Sequence, residues 1–233
     1  MDAPDNPWFS WQYIERNWDE EIVGALTKHI ELTLLAVAIA VAIALPMAIL
    51  ARRVPRLSGP IMGFTGALYT IPSFALFALL APFTGIGRTT VLIGLVMYAL
   101  LVLVRNIVVG LEGVDPNVVD AAQGLGYSKN KMLLSVELPN ALPSIFAGLR
   151  LATVSTVALV TVGVVVGYGG LGQLMFRGLQ SDYRAQIMTS TLLCVGLALI
   201  LDLLLLFAGR LAMPWTRTGS RRQVRKARER NAV

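Results

Sequence analysis

The sequence predicts an all-α protein that crosses a membrane about five times. Three observations carry that expectation. Hydrophobic residues make up 55% of the 233 positions and charged residues only 15%, which is not the balance of a soluble domain. Uncharged runs long enough to cross a bilayer recur along the chain. The basic residues fall in short segments between those runs and at the C-terminus. That placement also accounts for a sequence pI of about 9.8, so no nucleic-acid partner is expected.

Residues 1–28 read as an extracytoplasmic N-terminal segment. Ile14, Trp18, Ile22, Ala25 and Leu26 recur at helical spacing, and Trp8, Trp11, Tyr13 and Trp18 suit a bilayer interface. A short helix lying on the membrane surface is expected there. The N-terminus lacks the basic start of a cleaved signal peptide, so the first span is expected to direct insertion. Residues 29–213 hold the spans. The first runs over 32–51, with Pro46 as a candidate kink, and Arg52, Arg53 and Arg56 follow. The second lies within 59–81, with Pro72 at its middle. The third covers 90–111, the fourth 141–166 and the fifth 185–212. Glycines at 167, 169, 170 and 172 end span four in a tight turn. Residues 173–179 read as a short helix outside the membrane or partly re-entrant, and 214–233 as a basic tail.

Five spans put the termini on opposite sides. Arg52, Arg53, Arg56, Lys129, Lys131, Arg210 and the tail fall at one side, with Arg105 and Arg150 nearest to it. Arg16, Lys28, Arg88, Arg177 and Arg184 fall at the other. The positive-inside rule then makes the C-terminus cytoplasmic and the N-terminus external. The longest polar break between spans, 115–139, is therefore expected in the cytoplasm, facing a cytosolic partner. Within it a first short helix ends near Gly126, and a second amphipathic segment runs over 129–137.

Arg105, Arg150 and Asp202 fall inside spans three, four and five, each about one-third of the way in from the cytoplasmic side. Charges at that depth seek partners, so Asp202 is expected to pair with Arg150 or Arg105, as a fixed brace or as a gate. The single histidine, His29, rules out an HExxH pair. No GxSxG elbow or Walker A loop is present, and the lone Cys194 reads as a small hydrophobe. No catalytic site, metal or cofactor is expected. Energy for transport would have to come from an ion gradient or a separate ATPase.

Asp120-Ala121-Ala122, three residues, Gly126, nine residues, then Val136-Glu137-Leu138-Pro139 resembles the cytoplasmic EAA loop of binding-protein-dependent ABC importer permeases. Asp120 replaces the usual glutamate and Val136 the usual isoleucine, which preserves charge and shape. The stretches YTIPSFALFALL (69–80), VRNIVVGLEGVDPNVVDAAQGLG (104–126), LPNALPSIFAGLRLATV (138–154) and GYGGLG (167–172) look like permeases for glycine betaine, choline and related osmoprotectants. Methionine importer permeases share the loop and the glycine turn, and are the alternative within transport. A membrane scaffold or sensor that uses the loop only to recruit a cytosolic protein is the alternative outside it.

The resemblance implies that the loop forms a coupling helix seated in a groove of a cytosolic ATPase. Asp120, Ala121, Ala122 and Gly126 would be its docking surface, and Glu137, Leu138 and Pro139 its junction with span four. Two permease subunits, identical or paralogous, would enclose the path, and an extracytoplasmic binding protein would deliver a solute such as glycine betaine, choline or carnitine. Tyr69, Pro72, Ser73 and Phe77 in span two, with Ser155, Thr156 and Thr161 in span four, are candidate path residues. Aromatic faces among them would suit a quaternary ammonium group. Hydroxyls at helical spacing equally serve helix packing.

Overall fold

The computed structural model describes residues 6–215; the tail expected at 214–233 lies outside them beyond Trp215. Ser10 caps helix α1, Trp11–Asn17, its Oγ accepting from the Tyr13 amide at 3.2 Å. A π-helical turn, Trp18–Ile22, passes directly into α2, Val23–Arg53. The result is one helical run of 43 residues. The helix expected at the membrane surface is thus continuous with the first span. No proline falls between Trp11 and Leu45 to stop it. Tyr13 and Ile22 are also held in a small core with Leu171, Leu174 and Ala185.

Span two is not a single helix. It consists of α3, Pro55–Thr70, and α4, Ser73–Thr84, bent by 98° at Ile71-Pro72. Proline has no amide to donate and drives its predecessor out of the helical region. Ile71 accordingly sits at φ −69° and ψ 125°. Pro46 in the first span, by contrast, leaves α2 helical through to Arg53.

Helix α5, Arg88–Glu112, is the axis of the bundle and packs against α2, α3, α4 and α8. Alanines at 36, 40, 44, 48 and 51 give α2 a buried small-residue stripe that allows close approach. Leu95, Leu103, Ile107 and Leu111 fill the centre from α5. After α6, Pro116–Gly124, a second continuous run covers α7, Lys129–Met132, a π-helical turn Leu133–Glu137, α8, Leu138–Val162, and a 3-10 turn Gly163–Val166. The amphipathic segment expected at 129–137 is therefore the opening of the span-four helix. Pro139 removes one backbone donor, and local π geometry absorbs the loss. The Leu138 amide reaches back to the Leu133 carbonyl, and the Asn140 side chain donates to the Val136 carbonyl at 2.8 Å.

Helix α9, Leu171–Gln180, follows the glycine turn, and α10, Arg184–Ala212, closes the bundle. Its exposed face carries Leu192, Leu199, Leu203, Leu204 and Phe207, the surface of a helix that meets lipid. Among the described residues, four helices are long and apolar enough to span a membrane, or five if α3 and α4 count as one broken span.

Candidate functional site

The polar break is built of short, capped helices. Asp115 caps α6 by accepting from the Asn117 amide at 2.9 Å, and Pro116 occupies the first helical position. The helix ends in a Schellman closure. Gly126 stands at φ +78°, its amide donates to the Gln123 carbonyl, and the Tyr127 amide donates to the Ala122 carbonyl. Asp120 and Ala121 are exposed, whereas Ala122 is buried on the inner face. Leu125 stands 77% exposed at the tip. Sequence reasoning passed it over, although a large aliphatic residue between Gly124 and Gly126 is out of place in a solvated turn.

Two contacts lock this loop to the spans. Arg53 Nη2 donates to Asn130 Oδ1 at 2.8 Å, and Arg52 lies 3.6 Å from the Glu137 carboxylate. Ser128 caps α7 through the Lys131 amide, and the Lys131 ammonium sits 4.0 Å from the centre of the Tyr127 ring. Leu138 and Pro139 are half-buried within the continuous helix. The segment between α6 and α8 is thereby tied to the end of α2.

Inside the spans, Arg150 Nε and Nη2 donate to the two oxygens of Asp202, each at 2.7 Å. This ties α8 to α10. Arg105 is not part of the pair; it is exposed on α5.

The candidate path residues divide. Tyr69 is exposed and meets Tyr98 edge-on, ring centres 5.7 Å apart. The Tyr98 hydroxyl donates to the Ile71 carbonyl in the helix break. Pro72 is exposed and Ser73 half-buried at the same break. Phe77 is fully buried against Gly94 of α5, and Thr156 is enclosed with its hydroxyl on the Ala152 carbonyl. Neither presents a surface. Ser155 and Thr161 are partly exposed, their hydroxyls turned to the Leu151 and Ala158 carbonyls. Tyr98, which the sequence did not single out, is what holds Tyr69 at the break.

At the opposite end of the bundle, His29 joins three elements. Its Nε2 lies 3.0 Å from the Val157 carbonyl, and its Nδ1 accepts from the Leu171 amide at 3.2 Å. Nε2 therefore carries the proton and donates to that carbonyl. Nearby, a cavity of about 400 Å³ is lined by Glu20, Glu21, Lys28, Tyr168, Gln173 and Arg177.

An apolar helix bundle with a broken second span and one capped polar loop defines a multi-pass membrane protein. Residues 34–218 match the family described as binding-protein-dependent transport system inner membrane component, and the chain belongs to that family. It is the membrane-spanning permease subunit of an ABC importer.

Among its relatives is the carnitine transport permease protein OpuCB of Listeria monocytogenes, 35% identical over 75% of this chain and 80% of that protein. The osmoprotectant import permease protein OsmW of Salmonella typhimurium is 38% identical over 76% of this chain and 85% of that protein. The choline transport system permease protein OpuBB of Bacillus subtilis is 30% identical over 87% and 93%. Among solved structures, the MetNI methionine ABC transporter superposes with a TM-score of 0.72 at 22% identity, covering 85% of this chain and 96% of that one. At that identity the likeness concerns the fold.

Proposed function

We propose that this permease forms the translocation path for a quaternary-ammonium compatible solute such as glycine betaine, choline or carnitine. Loop 115–139 couples that path to a cytosolic ATPase. The observation that carries the coupling is the geometry of the loop: α6 closes in a Schellman turn, and the segment that follows it is tied to the end of α2 by the Arg53–Asn130 and Arg52–Glu137 contacts, which suits transmission of a push. The solute class rests on the three permeases named above, together with the open Tyr69 ring at the helix break.

The charge distribution favours an external N-terminus, a cytoplasmic loop and a cytoplasmic C-terminus. The working assembly then holds cytosolic ATPase subunits, a second permease subunit and an extracytoplasmic binding protein. Gly59 and Gly63 are exposed on α3, with open space where a Cβ would stand. Small residues at that spacing suit a second subunit packed beside the broken span, and Tyr69, Pro72, Ser73, Ser155 and Thr161 are the path residues proposed. The Arg150–Asp202 pair acts as a brace between α8 and α10.

Uptake of radiolabelled glycine betaine, carnitine, choline and methionine by cells carrying the whole system tests the reading. Uptake of a quaternary ammonium solute is expected; uptake of methionine alone overturns the solute class. Copurification with the ATPase, weakened by Asp120→Lys or Gly126→Asp, tests the coupling and separates it from a scaffold role.

A further inference from the structure

Arg105 is exposed on α5, and among the described residues it has no hydrogen-bond or ion-pair partner. It stands seven residues before Glu112, where α5 ends, about 10 Å inside the helix at 1.5 Å per residue. A lone guanidinium at such depth is costly in hydrocarbon and faces a polar cavity or a partner charge. Asp202, the acid nearest in depth, is engaged at both oxygens by Arg150.

The direction of the side chain narrows the choice. Helical side chains tilt toward the N-terminus of their helix. The Cα–Cβ bond of Arg105 therefore points toward the Tyr98 side of α5 and away from its near end, so reaching that end requires the side chain to bend back. Tyr98 lies seven residues earlier, on nearly the same face at 3.6 residues per turn. Tyr98 in turn packs against the open ring of Tyr69 and bonds the carbonyl of Ile71. The open Tyr69 ring of α3, backed by the buried Tyr98, and the unpaired Arg105 thus stand on one side of α5 beside a broken helix. In secondary transporters, broken helices are where substrates are held.

We propose that this side of α5 is a binding site for a zwitterion. The Tyr69 ring, oriented by Tyr98, takes the trimethylammonium head through cation–π attraction. Arg105 takes the carboxylate through charge-assisted hydrogen bonds. The inference rests on the compatible-solute reading and sharpens it: carboxylated solutes such as glycine betaine and carnitine use the whole site, and choline uses only its aromatic half.

The test is calorimetric titration of the assembled permease–ATPase complex, without binding protein, with glycine betaine, carnitine and choline. Arg105→Gln is expected to weaken the two carboxylated solutes by about tenfold or more and to leave choline within about twofold. Arg105→Lys should restore much of the loss, and Tyr69→Ala should weaken all three. Thermal melts of each variant confirm folding. Unchanged carboxylate binding in Arg105→Gln, as an arginine reaching for the membrane surface gives, overturns the site. An equal loss for choline, as a broken contact between subunits gives, overturns it too. Binding of none of the three by a complex whose cells still take up betaine overturns the site alone. Absence of uptake for all three overturns both readings.

Discussion

Arg150 and Asp202 meet two-pronged across α8 and α10, with Nε and Nη2 each 2.7 Å from a separate carboxylate oxygen. Among the described residues, only 11% of the most apolar window of helix α10 is buried. A directional pair therefore adds to the packing against α8 and α9 in setting its rotation and depth. Replacing Asp202 alone by alanine leaves a guanidinium unmatched in an apolar setting, whereas replacing both partners by leucine removes the mismatch. Thermal melts in detergent should rank Asp202→Ala below the double leucine variant. A double variant that melts at or below the single one sinks the pairing argument.

The pair also marks how far sequence reaches. Charges at membrane depth must be matched, so Asp202 had to find an arginine. Which arginine depends on the rotation of α5, α8 and α10 about one another, and that is set by packing. The spans were legible because hydropathy is local, and the helix end at Gly126 because glycine tolerates φ +78°. The break at Pro72 was not, since Pro46, Pro60, Pro82 and Pro143 all sit inside unbroken helices. The burial of Phe77 was equally hidden, because it depends on Gly94 opposite. The unbroken passage from Trp11 into span one follows from the small core around Ile22 and Leu171.

Gly172 should not tolerate alanine. An added Cβ would stand 2.4 Å from the Thr161 carbonyl oxygen and 2.5 Å from its Cα, and neither atom can rotate aside. Overpacking of that kind costs about 1–3 kcal/mol. Gly196, with nothing within 4 Å of the same added atom, is the control, and there alanine should be neutral or slightly stabilising. Melting temperatures of the two variants decide the matter; equal values contradict the close approach of the glycine turn to α8.

Gly126 closes the coupling helix in a left-handed conformation. A β-branched side chain there costs about 1–2 kcal/mol, while asparagine accepts the geometry more readily. Gly126→Val should reduce ATP-driven uptake and leave the spans folded, and Gly126→Asn should retain most of it. Equal uptake by the valine variant would show that the turn is not needed for coupling.

Leu125 offers a sharper test of docking, because its side chain is largely exposed among the described residues. It is 77% exposed at the tip of the loop, beside the exposed Asp120 and Ala121. Burying a leucine against a partner contributes about 1.5–3 kcal/mol, which is about tenfold or more in affinity. Leu125→Ser should therefore weaken the complex with the ATPase by about that factor and leave the melting temperature of the isolated permease unchanged. Leu125→Met, which conserves the apolar volume, should bind almost as the parent does. If the serine variant binds the ATPase with undiminished affinity, the tip lies outside the docked surface and the contact must be made through the Asp120 side of α6 alone.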